Sequence, residues 1–116
     1  MGLRSVFGDV ALPSAARGAG TYTGSPVANA GMAADVLLSV HCTASSGTPT
    51  LNCSLEESND GNSWTAVPGS GTAQLTGAGN AMASAAVTKN YVRPTSTVAG
   101  TTPSVTYRIA LLIVPE

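Results

Sequence analysis

Over residues 35–43 hydrophobic and polar side chains alternate with a period of two. Val36, Leu38, Val40 and Cys42 fall on one face, and Asp35, Leu37, Ser39, His41 and Thr43 on the other. Ser45-Ser46-Gly47-Thr48-Pro49 predicts a turn, and residues 50–57 a second strand with Leu51, Cys53 and Leu55 inward. Asp60-Gly61 then predicts a tight turn, and residues 63–67 a returning strand that closes a hairpin on Trp64 before Pro68-Gly69 ends it. A weaker strand follows at residues 72–75. The Ala-rich run 80–88 is better read as strand than helix, because turn signals flank it at the spacing of the other strands. Residues 91–98 predict another strand, with Pro94 marking an edge or a bulge. The clearest alternation is the last, over residues 103–114. Val105, Tyr107, Ile109, Leu111 and Ile113 share one face, and Leu112 and Val114 on the other predict that this end is covered on both sides.

About seven strands with turns every ten residues or so predict an all-β fold, an antiparallel β-sandwich of immunoglobulin-like or jelly-roll-like type. Residues 1–31 differ from the sandwich at 32–116. Gly, Ala, Ser and Pro dominate there, with turn signals at Gly18-Ala19-Gly20 and Gly24-Ser25-Pro26. Such a segment reads as an extended N-terminal arm, too poor in apolar residues to fold alone. It is either a flexible terminus or a segment that orders against a partner. In the second case Leu3, Phe7, Val10, Leu12 and Tyr22 are the partner-binding candidates.

The chain has 116 residues, enough for one domain to bury roughly two-thirds of its unfolded surface. Only 9% of residues are charged, against about 25% in ordinary soluble proteins, and small residues fill the deficit. The surface is therefore neutral and suited to close contact with neighbours. Arg4, Arg17, Lys89, Arg93 and Arg108 are scattered, which excludes a nucleic-acid footprint from the expectations. The longest apolar run, at residues 109–114, is a strand's length and predicts no membrane span. No export signal is evident near Arg4, so synthesis in a cytosol is expected.

Few residues offer chemistry. If the turn at residues 45–49 is tight, Cys42 and Cys53 lie opposite on paired strands, either bridged or as two packed thiols. His41 and Cys42 point to opposite faces and cannot share a metal; Glu56 and Glu57 diverge in the same way and cannot act as an acid–base pair. Asp60 reads as a turn residue tolerant of positive φ, and Ser nucleophiles have only His41 as a base. The expectations are therefore no enzymatic activity, no catalytic residues, no cofactor and no metal. Trp64, Tyr91 and Tyr107 are placed in the core, which leaves little aromatic surface for a sugar ring.

Three pieces, in order, resemble small structural proteins encoded in the head and tail gene clusters of tailed bacteriophages. One is residues 51–67, close to a recurring strand followed by S-x-D-G-x-x-W-x-x-V; the others are Asn90-Tyr91-Val92-Arg93 and Thr102-Pro103-Ser104-Val105-Thr106-Tyr107 leading into the terminal strand. The stretch that carries the resemblance, residues 35–114, is about two-thirds of the chain. The resemblance implies a non-enzymatic virion protein of the capsid surface, made in the host cytoplasm, that decorates and cements a head lattice. It implies contact with the major capsid protein and with neighbouring copies of the chain, often as trimers, without nucleic acid or membrane. A tail or neck component and a carbohydrate-binding sandwich remain as alternatives.

Overall fold

The structure, a computed structural model, describes residues 7–28 and 33–115, with side chains for residues 10–28 and 33–114. Among these residues there are seven strands and no helix: β1 (Phe7–Arg17), β2 (Gly20–Thr23), β3 (Val27–Ala28), β4 (Ala34–Ser58), β5 (Thr65–Ala66), β6 (Gly79–Val87) and β7 (Tyr91–Pro115). All pairings are antiparallel. The all-β, antiparallel sandwich-like fold expected from the alternation is the fold observed.

Two strands of 25 residues, β4 and β7, pair with each other from end to end and carry every other strand. Both bend at the same place. The ladder shifts register between Cys42 and Ala44 and between Ser46 and Thr48, and left-handed backbone occurs at Gly47 (φ 73°), Gly100 (φ 120°) and Thr102 (φ 42°). Beyond this corner the sheet folds back over itself. Ser96 and Tyr107 show this most directly. They are eleven residues apart on β7, about 36 Å if extended, yet their hydroxyls are 2.6 Å apart.

The result is two facing layers. The first has the order β1–β7–β4–β6 and uses residues 105–115 and 34–45 of the long strands. The second uses residues 91–101 and 48–58, with β2 and β3 end to end along β7 and β5 beside β4. Between them lies one core that includes Val36, Leu38, Val40, Leu51, Leu55, Val92, Val98, Tyr107, Ile109 and Ile113. Every residue expected to point inward on the strands at 35–43, 50–57 and 103–114 is buried.

Several expectations need correction. The segment 45–49 is a corner inside β4 and not a turn between paired strands, because β7 bends with it and the ladder resumes beyond. Cys42 is therefore paired with Tyr107 and Cys53 with Ser96, so the cysteines are not cross-strand neighbours. Both are free and buried, and burial pushes the Cys53 thiol up to about 12. The weak strand at 72–75 is a hydrogen-bonded edging along β4: Thr72 N donates to Cys53 O, and Leu75 and Leu51 exchange both backbone bonds. Ser70 completes this edging, its Oγ accepting from Leu55 N at 2.9 Å and donating to Val67 O at 2.7 Å. Pro94 sits in a central strand, which Pro tolerates only where no N–H is needed. Its carbonyl accepts from Gly24 N, so its nitrogen faces the same side, at the gap between β2 and β3 where the ladder is interrupted.

Residues 7–28, read from the sequence as part of an arm, run as β1–β3 along β7 in both layers of this same chain. The apolar positions are few, yet hydrogen bonding to β7 and burial of Ala11 and Leu12 suffice to hold the segment. Arg17 pins the bulged end of β1. Its guanidinium donates to the carbonyls of Pro13, Ala15 and Tyr107 and lies 4.7 Å from the centre of the Tyr107 ring.

Candidate interaction surfaces

The hairpin after β4 shows what the S-x-D-G-x-x-W pattern does. Ser58 Oγ accepts from the backbone N–H of Asp60 and Gly61 and donates to Asp60 Oδ1 at 2.9 Å. Asp60 Oδ1 in turn accepts from Asn62 N and Ser63 N, both at 2.8 Å. Gly61 takes the left-handed conformation (φ 75°), so Asp60 serves as a side-chain cap and not as the residue of positive φ expected from the sequence. The chain then returns through β5, where Glu56 pairs with Ala66 and Glu57 with Thr65. The hairpin is thus as expected, and its motif residues are occupied in shaping the loop.

The Ser63 and Asn62 amides, with the Ser58 hydroxyl, hold the exposed Asp60 carboxyl at about 2, below its ordinary 3.8. A folded-state value below the unfolded one stabilises the fold above pH 3.8, and this contribution disappears as pH falls through about 2. An Asp60→Asn variant is expected to show a flatter loss of stability between pH 4 and 2 than the wild type, in denaturant titrations at successive pH values. Parallel curves for the two proteins would contradict this.

Beside the loop, Arg93 donates to Glu56 Oε1 at 2.9 Å while its guanidinium lies 4.2 Å from the centre of the Trp64 ring. Trp64 is half-buried and Tyr91 is 36% exposed, its ring against Gly61; only Tyr107 of the three expected core aromatics is in the core. For Tyr91 the cause is register. Residues 91 and 93 share the outer face of β7, whereas Val92, Pro94 and Ser96 face in. Nothing in the hydrophobicity of a tyrosine distinguishes these two faces.

The arm candidates separate in the same way. Leu3 lies outside the described residues, and Phe7 begins β1 with its side chain outside them. Leu12 belongs to the chain's own core, and Tyr22 packs partly buried against it, its hydroxyl donating to Gly18 O at 2.8 Å. Val10 is 48% exposed. It joins Met82 (58%) and Val114 (38%) on the outer face of the first layer, with the half-buried Leu37, Ala110 and Leu112 between them. Of Leu112 and Val114, expected to be covered, Leu112 is half-buried and Val114 is exposed among the described residues. Sequence reading placed Leu37 and the apolar residues of β7 on the outer faces of their own strands but did not single out Met82; only strand order brings them together.

The chemistry available is slight. No group of three His, Cys, Asp or Glu side chains among the described residues is placed to hold a metal ion. His41 Nδ1 is paired with the Asn80 side chain across β4 and β6. No helix among the described residues is long and apolar enough to cross a membrane.

No family model matches this sequence, and no curated protein matches it. Solved structures do. A chain in a structure of infectious bursal disease virus, Gx strain, superposes with a TM-score of 0.67 at 11% identity, covering 98% of this chain and 33% of that one. A chain in a structure of the Gt strain of the same virus gives 0.60 at 12% identity, covering 94% and 33%. The chain thus spans about a third of the length of the virus chains whose fold it shares.

Proposed function

We propose that this chain is a non-enzymatic structural protein of a virion, and within that class a decoration or cement protein of a tailed-phage head. The observation that carries the reading is the sharing of nearly the whole fold with chains in virus structures. The phage-like hairpin and terminal strand narrow it, and a surface with few charges suits close packing in an assembly. Its partners in this reading are the major capsid protein and neighbouring copies of itself. Many individually weak contacts on a repeating lattice add to firm attachment.

Deleting the N-terminal segment is a poor test, because β1 and β2 cover β7 in both layers and Leu12 fills the core. Copy number is the better one. Quantitative peptide mass spectrometry of purified particles is expected to give a fixed simple ratio of this chain to the major capsid subunit. A handful of copies per particle would replace the decoration role by a tail or neck role. Absence from particles would overturn the virion reading and favour a carbohydrate-binding module. For that second reading, the exposed Tyr91 beside the half-buried Trp64 supplies some aromatic surface.

A further inference from the structure

Among the described residues, three of the four exposed large hydrophobic side chains, Val10, Met82 and Val114, lie on the outer face of the first layer. Register places its residues in rows across the four strands: Val10, Ala110, Ser39 and Met82 in one, and Leu112, Leu37 and Ser84 in the next. Val114, Asp35 and Ala86 form the row at one end, and Arg108, His41 and Asn80 the row at the other. Charge is thus confined to the two ends, acidic at Asp35 and basic at Arg108. Neither makes an ion pair among the described residues. The two lie six residues apart along the ladder, about 20 Å.

We infer that this face docks a second copy of the same chain, related by a two-fold axis lying in the interface and perpendicular to the strands. That operation reverses strand direction and leaves strand order unchanged. It sets Asp35 of each copy against Arg108 of the other, twice, with the apolar rows packed between. A single-signed face would repel its copy; this one is complementary to itself, as an isologous contact must be. Four strands at ~4.8 Å spacing and eight residues at ~3.3 Å give a face of about 500 Å². Two such faces bury about 1,000 Å², the lower limit for a specific interface. The inference deepens the virion reading, in that it names the surface one copy offers its neighbour.

The test is sedimentation velocity of the full chain over a wide concentration range, with circular dichroism and thermal melting to verify that each variant folds. The wild type is expected to form dimers reversibly. Met82→Lys changes a side chain that the fold leaves exposed, and is expected to raise the dimer dissociation constant at least 100-fold. Asp35→Arg and Arg108→Asp are each expected to raise it about tenfold, and the double swap to restore it to within about threefold. A wild type monomeric at every concentration, or dimers indifferent to Met82→Lys, would overturn the interface. Failure of the double swap to restore affinity would overturn its two-fold geometry. The particle measurement is separate. Abundant copies in particles with no dimer in solution would remove this surface and leave the virion reading standing, and the reverse result would do the opposite.

Discussion

Gly100→Ala is expected to destabilise the fold by about 2–5 kcal/mol, combining left-handed backbone strain with a steric clash. Gly100 lies on β7 at the corner with φ 120°, and a Cβ there would sit 2.0 Å from Thr48 O and 3.0 Å from Thr48 C. Those atoms belong to the paired backbone of β4, where Thr48 Oγ1 accepts from Thr101 N and donates to Thr101 O. They cannot move aside as a flexible side chain would. Gly47 is the reciprocal case on β4, its added Cβ falling 2.2 Å from Thr102 O. Gly69 provides the control: it has φ 74° but nothing within 4 Å of an added Cβ, so Gly69→Ala carries only the conformational cost of about 1–2 kcal/mol. Urea titrations of the three variants are expected to rank Gly47→Ala and Gly100→Ala well below Gly69→Ala. Equal losses would mean that the corner tolerates a side chain and that the fold-over does not depend on close backbone approach.

Tyr107→Ala is expected to cost about 3–5 kcal/mol, the range for removing a buried aromatic. The ring is fully buried where the two layers meet, and Arg17 covers it while pinning β1. Its hydroxyl is 2.6 Å from Ser96 Oγ, and burial raises its pKa, so it remains the neutral phenol through the physiological range. Tyr107→Phe separates the two contributions. It keeps the ring and removes one hydrogen bond, and Ser96 Oγ retains Tyr22 O at 3.2 Å as a partner. The expected loss is then about 1 kcal/mol. At about 4–8 °C per kcal/mol for a domain of roughly this size, thermal melting distinguishes the variants readily. A Tyr107→Ala variant that melts within a few degrees of the Phe variant would show that the ring does not tie the layers together.

How far such features were legible beforehand depends on their range. The inward faces of the strands were readable because alternation is local, and one buried face imposes it on each strand separately. The Ser58-to-Trp64 hairpin was readable for the same reason, since its bonds join residues no more than three apart. The two 25-residue strands were not. A glycine and a proline near residues 47–49 look the same whether the chain reverses or only bends, and β7 decides between them by remaining paired through the corner. The cysteine geometry failed with that turn. Tyr91 and Trp64 were misplaced because large aromatics are assigned to cores by size, while register sets Tyr91 outward and Trp64, just before β5, is half-buried beneath Arg93.

By itself, then, the sequence determined the class of fold and the inward face of most strands, since both follow from period-two patterning. Tertiary structure alone decided that residues 7–28 line the chain's own β7, that the sheet folds over at one glycine corner, and that apolar residues from four separate strands share one outer face. The reason is physical. Pairing partners and layer contacts link residues tens of positions apart, and no local pattern records which distant strand a hydrogen-bonding edge will meet.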